Sequence, residues 1–208
     1  MVLKIIRDIY QRSVFINQVY PVIAYRINSD NVKEYRIYDE TRSFTWISDG
    51  IEIINESNFN YFEKIVNDEK MYLYKDIDAS FFTLFYMEGD DFEQVINKLK
   101  IYMIEILSYD LSPRELSDSI VNACKESNQI DVLLESYFLK AEEVDISKFA
   151  FQLSDKWEKF CEAEIRILVN NMCKIKSLEI KDFFEEIVQC GDFSEEIIDV
   201  IYNYLYDS

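Results

Sequence analysis

The sequence predicts an α+β protein, an N-terminal antiparallel sheet packed on a C-terminal helical bundle, and three observations lead there. Between residues 21 and 54 apolar residues alternate with polar ones, and turn-forming residues recur at short intervals, the pattern of hairpin-linked strands. From residue 90 onward the apolar spacing changes to three and four, as in amphipathic helices. Of the 208 residues 49% are apolar and 30% charged, a composition that supports a packed core. The division predicted is 1–89, mostly β with short helices, and 90–208, acidic and all-α. No Pro/Gly/Ser-rich linker separates the two, so they are expected to form one compact body.

The elements follow in order. Over residues 2–19, Val2, Ile5, Ile6 and Ile9 fit a helical stripe while the β-branched content favours extension, and the stripe predicts a helix. Beyond Pro21, the alternation of Ile23, Tyr25 and Ile27 reads as a strand, with Ser29, Asp30 and Asn31 as a turn. Tyr35, Ile37, Phe44 and Trp46 continue the alternation around a connection at Asp39, Glu40 and Thr41. Asp49-Gly50 reads as a further hairpin-type turn leading into a strand at 51–54.

A short helix is expected next, capped by Ser57 or Asn58, with Phe59, Phe62, Ile65 and Val66 on its buried stripe. Strands are expected at 71–74 and at 81–87, the latter apolar on both faces like a central strand. At Gly89-Asp90-Asp91 the pattern turns helical, with Asp90 and Glu93 placed as a capping pair. Phe92, Val95, Ile96, Leu99, Tyr102, Met103, Ile106 and Leu107 then form the buried stripe.

Ser112-Pro113-Arg114-Glu115 combines an N-cap serine, a proline at the first helical position and a capping-box glutamate. Further helices are predicted at 129–141, 154–175, 178–190 and 194–206. Trp157, Phe160, Cys161, Ile165, Leu168 and Met172 line the long one, and Glu162 with Arg166 makes a favourable pair. Gly191 closes one helix and Ser194 opens the last. The C-terminal run of short helices is compatible with a solenoid, although no internal repeat of about 20 to 50 residues stands out.

What is missing from the sequence narrows the chemistry. Histidine is absent, which removes Ser-His and Cys-His nucleophile pairs, the usual general base near neutral pH, and every histidine-dependent metal site. The three glycines, Gly50, Gly89 and Gly191, are isolated, whereas phosphate-cradling loops need several close together. Asp76-Ile77-Asp78 begins like a calcium loop, but the sixth position is Phe81 and the twelfth Met87, where glycine and glutamate are required. No cofactor is expected. Cys124, Cys161, Cys173 and Cys190 are far apart and are read as free, buried thiols in a reducing cytosol.

No stretch of about 18 apolar residues exists to span a membrane. Lys4, Arg7 and Asp8 interrupt the opening stretch, unlike a secretory signal. A cytoplasmic location is expected. Aromatic residues are plentiful at 15% but fall on apolar stripes, so core packing explains them better than base stacking; exposed tyrosines could still anchor a protein interface.

Charge carries the functional reading. Residues 1–50 hold seven basic and six acidic side chains, whereas 51–208 hold fifteen basic and thirty-four acidic. Such a field disfavours nucleic acid and anionic membranes and suits a basic protein. On the last two helices Glu179, Asp182, Glu185, Glu186, Asp192, Glu195, Glu196 and Asp199 fall opposite the apolar stripes Ile180, Phe183, Phe184, Ile187 and Ile197, Ile198, Ile201, Leu205. These eight are the candidate partner-binding residues.

The expectation is a non-enzymatic inhibitor of a basic partner, as an immunity protein is for a nuclease-type toxin or a phage-encoded inhibitor for a defence nuclease. No catalytic residue or metal ligand is assigned. A carboxylate- or metal-dependent hydrolase and a structural or scaffold subunit are the alternatives.

Overall fold

The computed structural model describes residues 1–7, 13–56, 60–66, 69–75, 77, 81–82 and 90–206. The fold is α+β, with antiparallel strands within residues 2–74 followed by seven α-helices among the described residues. Contacts gather into two compact units, Met1–Leu111 and Ser112–Ser208.

The first unit contains β1 (Val2–Ile5), β2 (Val19–Pro21), β3 (Ala24–Ile27), β4 (Lys33–Tyr38), β5 (Phe44–Ile47), β6 (Ile51–Asn55), β7 (Tyr61–Val66), β8 (Glu69–Tyr74) and helix α1 (Asp90–Asp110). The strands form two sheets, β2-β1-β6 and β5-β4-β3-β8-β7, with every pairing antiparallel. The helix expected over 2–19 is therefore replaced by strands at its two ends. β1 is central in its sheet, so Val2, Leu3 and Ile5 are all fully buried, as in strands covered on both faces. Ile6, which the helical stripe would bury, is 47% exposed.

Asp49-Gly50 is also not a hairpin, because β5 and β6 belong to different sheets. Gly50 holds a positive φ of 66°, which only glycine adopts without steric cost. Its carbonyl accepts from the Ile6 N–H at 2.8 Å and the Arg7 N–H at 3.3 Å, so the turn docks against the end of β1.

The β3–β4 turn falls where expected. Asn28 Oδ1 accepts from the N–H groups of Asp30 and Val32, each at 3.0 Å, a side chain standing in for a backbone turn. The β4–β5 turn is built on Asp39, which is 1% exposed. Its Oδ1 accepts from Thr41 N–H at 2.9 Å, Thr41 Oγ1 at 2.6 Å and Ser43 N–H at 3.2 Å, and its Oδ2 accepts from the Thr45 hydroxyl.

The helix expected to bury Phe62, Ile65 and Val66 is instead the edge strand β7, paired with β8 from Tyr61↔Tyr74 to Val66↔Glu69. Phe62 is 54% and Ile65 72% exposed. Among the described residues no strand lies beyond β7, and Phe62 and Ile65 project from an edge strand into solvent. Its expected caps, Ser57 and Asn58, and Phe59 lie outside the described residues. So do the aspartates of the calcium-like stretch and most of the strand expected at 81–87. Phe81 and Phe82 are described and buried, with the Arg36 guanidinium 3.8 Å from the Phe82 ring centre.

On α1 the stripe of Val95, Leu99, Tyr102, Met103, Ile106 and Leu107 is buried. The side chain of Asp90, half of the expected capping pair, lies outside the described residues. At the far end the Asp110 carboxylate pairs with the amino group of Met1, both buried. Burial lowers the pKa of that amine against the pull of Asp110.

The second unit contains α2 (Pro113–Asn122), α3 (Ile130–Phe138), α4 (Glu143–Leu153), a 3₁₀ segment (Ser154–Lys159), α5 (Glu162–Met172), α6 (Leu178–Cys190) and α7 (Glu195–Tyr206). The Ser112–Glu115 capping box is formed. The single helix expected over 154–175 is broken at Phe160, whose backbone is extended, and α5 restarts from Cys161. There the Glu164 carboxylate accepts from the Cys161 N–H at 2.7 Å, a new N-terminal cap. Helix α4 was not anticipated; it buries Ile146, Phe149, Ala150 and Leu153.

The cysteines are free but not buried. Cys124, Cys161 and Cys190 are exposed and Cys173 is half-buried, because Cys161 and Cys190 fall at helix ends, off the apolar stripes. Lys159 is half-buried against the end of α2. Its ammonium donates to the carbonyls of Ile120 at 2.6 Å, Val121 at 2.8 Å and Ala123 at 3.2 Å, supplying the open C-terminus of α2 with donors and with a favourable charge. Burial, reinforced by Lys156, pulls its pKa down to about 8. Among the described residues, no helix is long and apolar enough to cross a membrane.

Candidate functional site

The candidate residues lie on the hairpin of α6 and α7. Ser177 caps α6, its hydroxyl accepting from the Ile180 N–H at 3.2 Å. Gly191 ends α6, donating to the Ile187 carbonyl at 2.8 Å. A Cβ at Gly191 would run into the Phe193 ring and stand 2.7 Å from the Ile187 oxygen, so the close turn requires glycine. Ser194 precedes α7 as expected, but its buried hydroxyl makes no hydrogen bond; the start of α7 rests on the Ser194 carbonyl, which accepts from the Ile197 N–H at 3.0 Å.

The two helices close over one core. Ile180, Phe183, Phe184, Ile187, Ile197 and Ile201 are buried, and the Tyr204 ring meets Phe184 edge-on at 5.0 Å. Tyr204 Oη donates to the Ile175 carbonyl at 2.9 Å and accepts from the Ser177 N–H at 3.2 Å. The end of α7 is thereby tied beside the start of α6, and the helices run antiparallel.

That core turns the acidic side chains outward. Glu179, Asp182, Glu185, Asp192, Glu195, Glu196 and Asp199 are exposed, and Glu186 is half-buried. They divide by partner. Glu196 pairs with Arg166 at 2.5 Å, and Arg166 also reaches Glu162 at 3.7 Å. Glu185 lies 3.8 Å from Lys181, and Glu186 accepts from the Trp157 indole N–H at 3.2 Å. Glu179 accepts from the Ser177 hydroxyl at 2.8 Å. Its pKa is lowered first by its own backbone N–H at the start of α6 and then by Ser177. Asp182, Asp192, Glu195 and Asp199 meet no cation among the described residues.

The structure adds two residues to this set. Tyr202 and Tyr206 are 41% and 77% exposed, and their ring centres are 5.8 Å apart. With Leu205 from α7, and Lys181, Glu185, Val188 and Gln189 from α6, they line an open groove of about 400 Å³. The spacing 195, 199, 202, 206 places Glu195, Asp199, Tyr202 and Tyr206 along one stripe of α7. That stripe was legible in the sequence, as a run on the face opposite Ile197 and Ile201.

Among the described residues, no group of three or more cysteine, aspartate or glutamate side chains is placed to hold a metal ion. No protein-family model matches this chain, and no curated protein and no solved structure matches it.

Proposed function

We propose that this is a non-enzymatic, cytoplasmic protein that binds and inhibits a basic protein, in the manner of an immunity protein or inhibitor directed at a nuclease-type partner. One observation carries the reading. On the α6–α7 hairpin four carboxylates, Asp182, Asp192, Glu195 and Asp199, stand exposed without a cation among the described residues. The surrounding residues 112–208 hold ten basic and twenty-one acidic side chains. Such a surface attracts a cationic face at long range and repels phosphate backbones. Laid over a partner's nucleic-acid groove, it would compete with the polyanion that the groove evolved to hold.

The test uses the partner captured from the native host with this chain as bait, followed by association kinetics across ionic strength. The on-rate is expected to fall at least about tenfold from low to high salt. Glu195→Lys with Asp199→Lys should slow association at low salt. An on-rate indifferent to salt and to both reversals would refute the proposal.

A further inference from the structure

We infer that the groove between α6 and α7 seats a basic amphipathic segment of the partner, with an arginine or lysine stem laid against Tyr202 and Tyr206. The inference rests on the proposed function and gives that surface its anchor. A charged face alone steers a partner without fixing where it docks. Binding energy concentrates where aromatic rings and apolar surface are covered together. The groove supplies both, with Val188 and Leu205 beside the two exposed rings.

The choice of a cationic occupant follows from what surrounds those rings. Within the groove Glu185 and Lys181 stand 3.8 Å apart and offset one another, so the negative field comes from Glu195 and Asp199, which continue the stripe on which Tyr202 and Tyr206 lie. Glu195 and Asp199 have no counter-ion among the described residues. A guanidinium or ammonium is attracted by an aromatic face and by carboxylates together, while its aliphatic stem covers apolar surface. An acidic segment would meet repulsion along the same line. From Glu195 to Tyr206 the stripe runs about 16 Å, so about three turns of an added helix would span it, its apolar side chains entering the groove.

The experiment uses the full chain and two labelled synthetic peptides of identical composition. One places leucines on one helical face and arginines on the other. The second has the same residues scrambled so that no apolar face forms. At low salt the amphipathic peptide is expected to bind about tenfold more tightly than the scrambled one. Tyr202→Ala with Tyr206→Ala should erase that difference by weakening the amphipathic peptide far more than the scrambled one.

Both tyrosines are exposed, so the double variant keeps the core, and an unchanged circular dichroism melt verifies this. Equal binding of both peptides, or a preference that survives the double variant, would overturn the groove while leaving the charge-based reading standing. Failure of both peptides to bind at low salt would overturn the groove and the acidic-face reading together.

Discussion

The two units differ in how much of their acidic charge is left without a counter-ion: residues 1–111 hold twelve basic and nineteen acidic side chains, residues 112–208 ten and twenty-one. In Met1–Leu111 five cations are held by carboxylates, Arg7 by Asp49, Arg26 by Glu34 and Glu69, Lys33 by Glu56, Lys70 by Glu63 and Lys75 by Glu105, while Lys64 donates to the Ile77 carbonyl. Its buried polar centre is an anion, Asp39, surrounded by hydroxyl and N–H donors. In Ser112–Ser208 a half-buried cation, Lys159, is directed at backbone carbonyls. Arg166 is engaged by Glu162 and Glu196. With acidic residues outnumbering basic ones there by about two to one, carboxylates are left over on the surface. Net charge alone does not say where charge is available to a partner; the distribution of counter-ions does.

The largest expected effect comes from removing the first unit's buried anion. Asp39→Ala leaves Thr41 N–H, Ser43 N–H and the Thr45 hydroxyl without their acceptor, and should cost about 3 kcal/mol. Urea denaturation measures this, and a loss under about 1 kcal/mol would mean that solvent replaces the carboxylate. The matching change in the second unit is Lys159→Met, which removes a donor from the carbonyls of Ile120, Val121 and Ala123, of which Ile120 keeps the Ala123 N–H. On the order of 2 kcal/mol should be lost, and hydrogen exchange at the end of α2 should rise first. No change there would mean that the α2 terminus does not depend on Lys159.

How much of this contrast was legible in the sequence depends on the kind of signal. Long helical stripes and side-chain caps were readable, as at α1, α6 and Ser112, because their information is local. The exchange of strands between two sheets was not, because nothing local at Asp49-Gly50 distinguishes a hairpin from a crossover. Continuous apolar runs failed for the same reason: at Val2, Leu3 and Ile5, only burial on both sides of β1 decides strand over helix. At the candidate site the eight carboxylates could be placed outward from periodicity. Their division into paired and unpaired could not, since Arg166 and Glu196 meet across α5 and α7.

A pH titration probes the burial common to both units. Tyr20 and Tyr61 in the first unit and Tyr137 in the second are held above the ordinary tyrosine value of 10.0, chiefly by burial. Their folded pKa values exceed the unfolded value, so the stability linked to them is intact below pH 10 and is lost as pH rises beyond it. Phenolate absorbance should reveal a class of tyrosines that ionises only with alkaline unfolding. Titration of every tyrosine near pH 10 in the folded protein would contradict the burial assigned here.

Smallest in stability, and sharpest for function, are reversals within α7. Glu195→Lys and Asp199→Lys should change folding stability by no more than about 0.5 kcal/mol. Glu196→Lys additionally breaks the Arg166 pair. All three reversals change the charge by the same amount, but Arg166 already occupies the Glu196 carboxylate, so Glu196→Lys removes no free contact for a cationic peptide and should weaken association no more than Glu195→Lys or Asp199→Lys. If Glu196→Lys weakened association most, the division between paired and unpaired carboxylates would be wrong.

The most direct measurement needs no partner. Paramagnetic relaxation of backbone amides by a cationic and an anionic nitroxide cosolute reports the local electrostatic potential near each residue. Amides of α6 and α7, above all those near Asp182, Asp192, Glu195 and Asp199, should carry the most negative potential in the molecule. A potential there no more negative than over the five-stranded sheet would contradict the claim that surplus charge is concentrated on this hairpin.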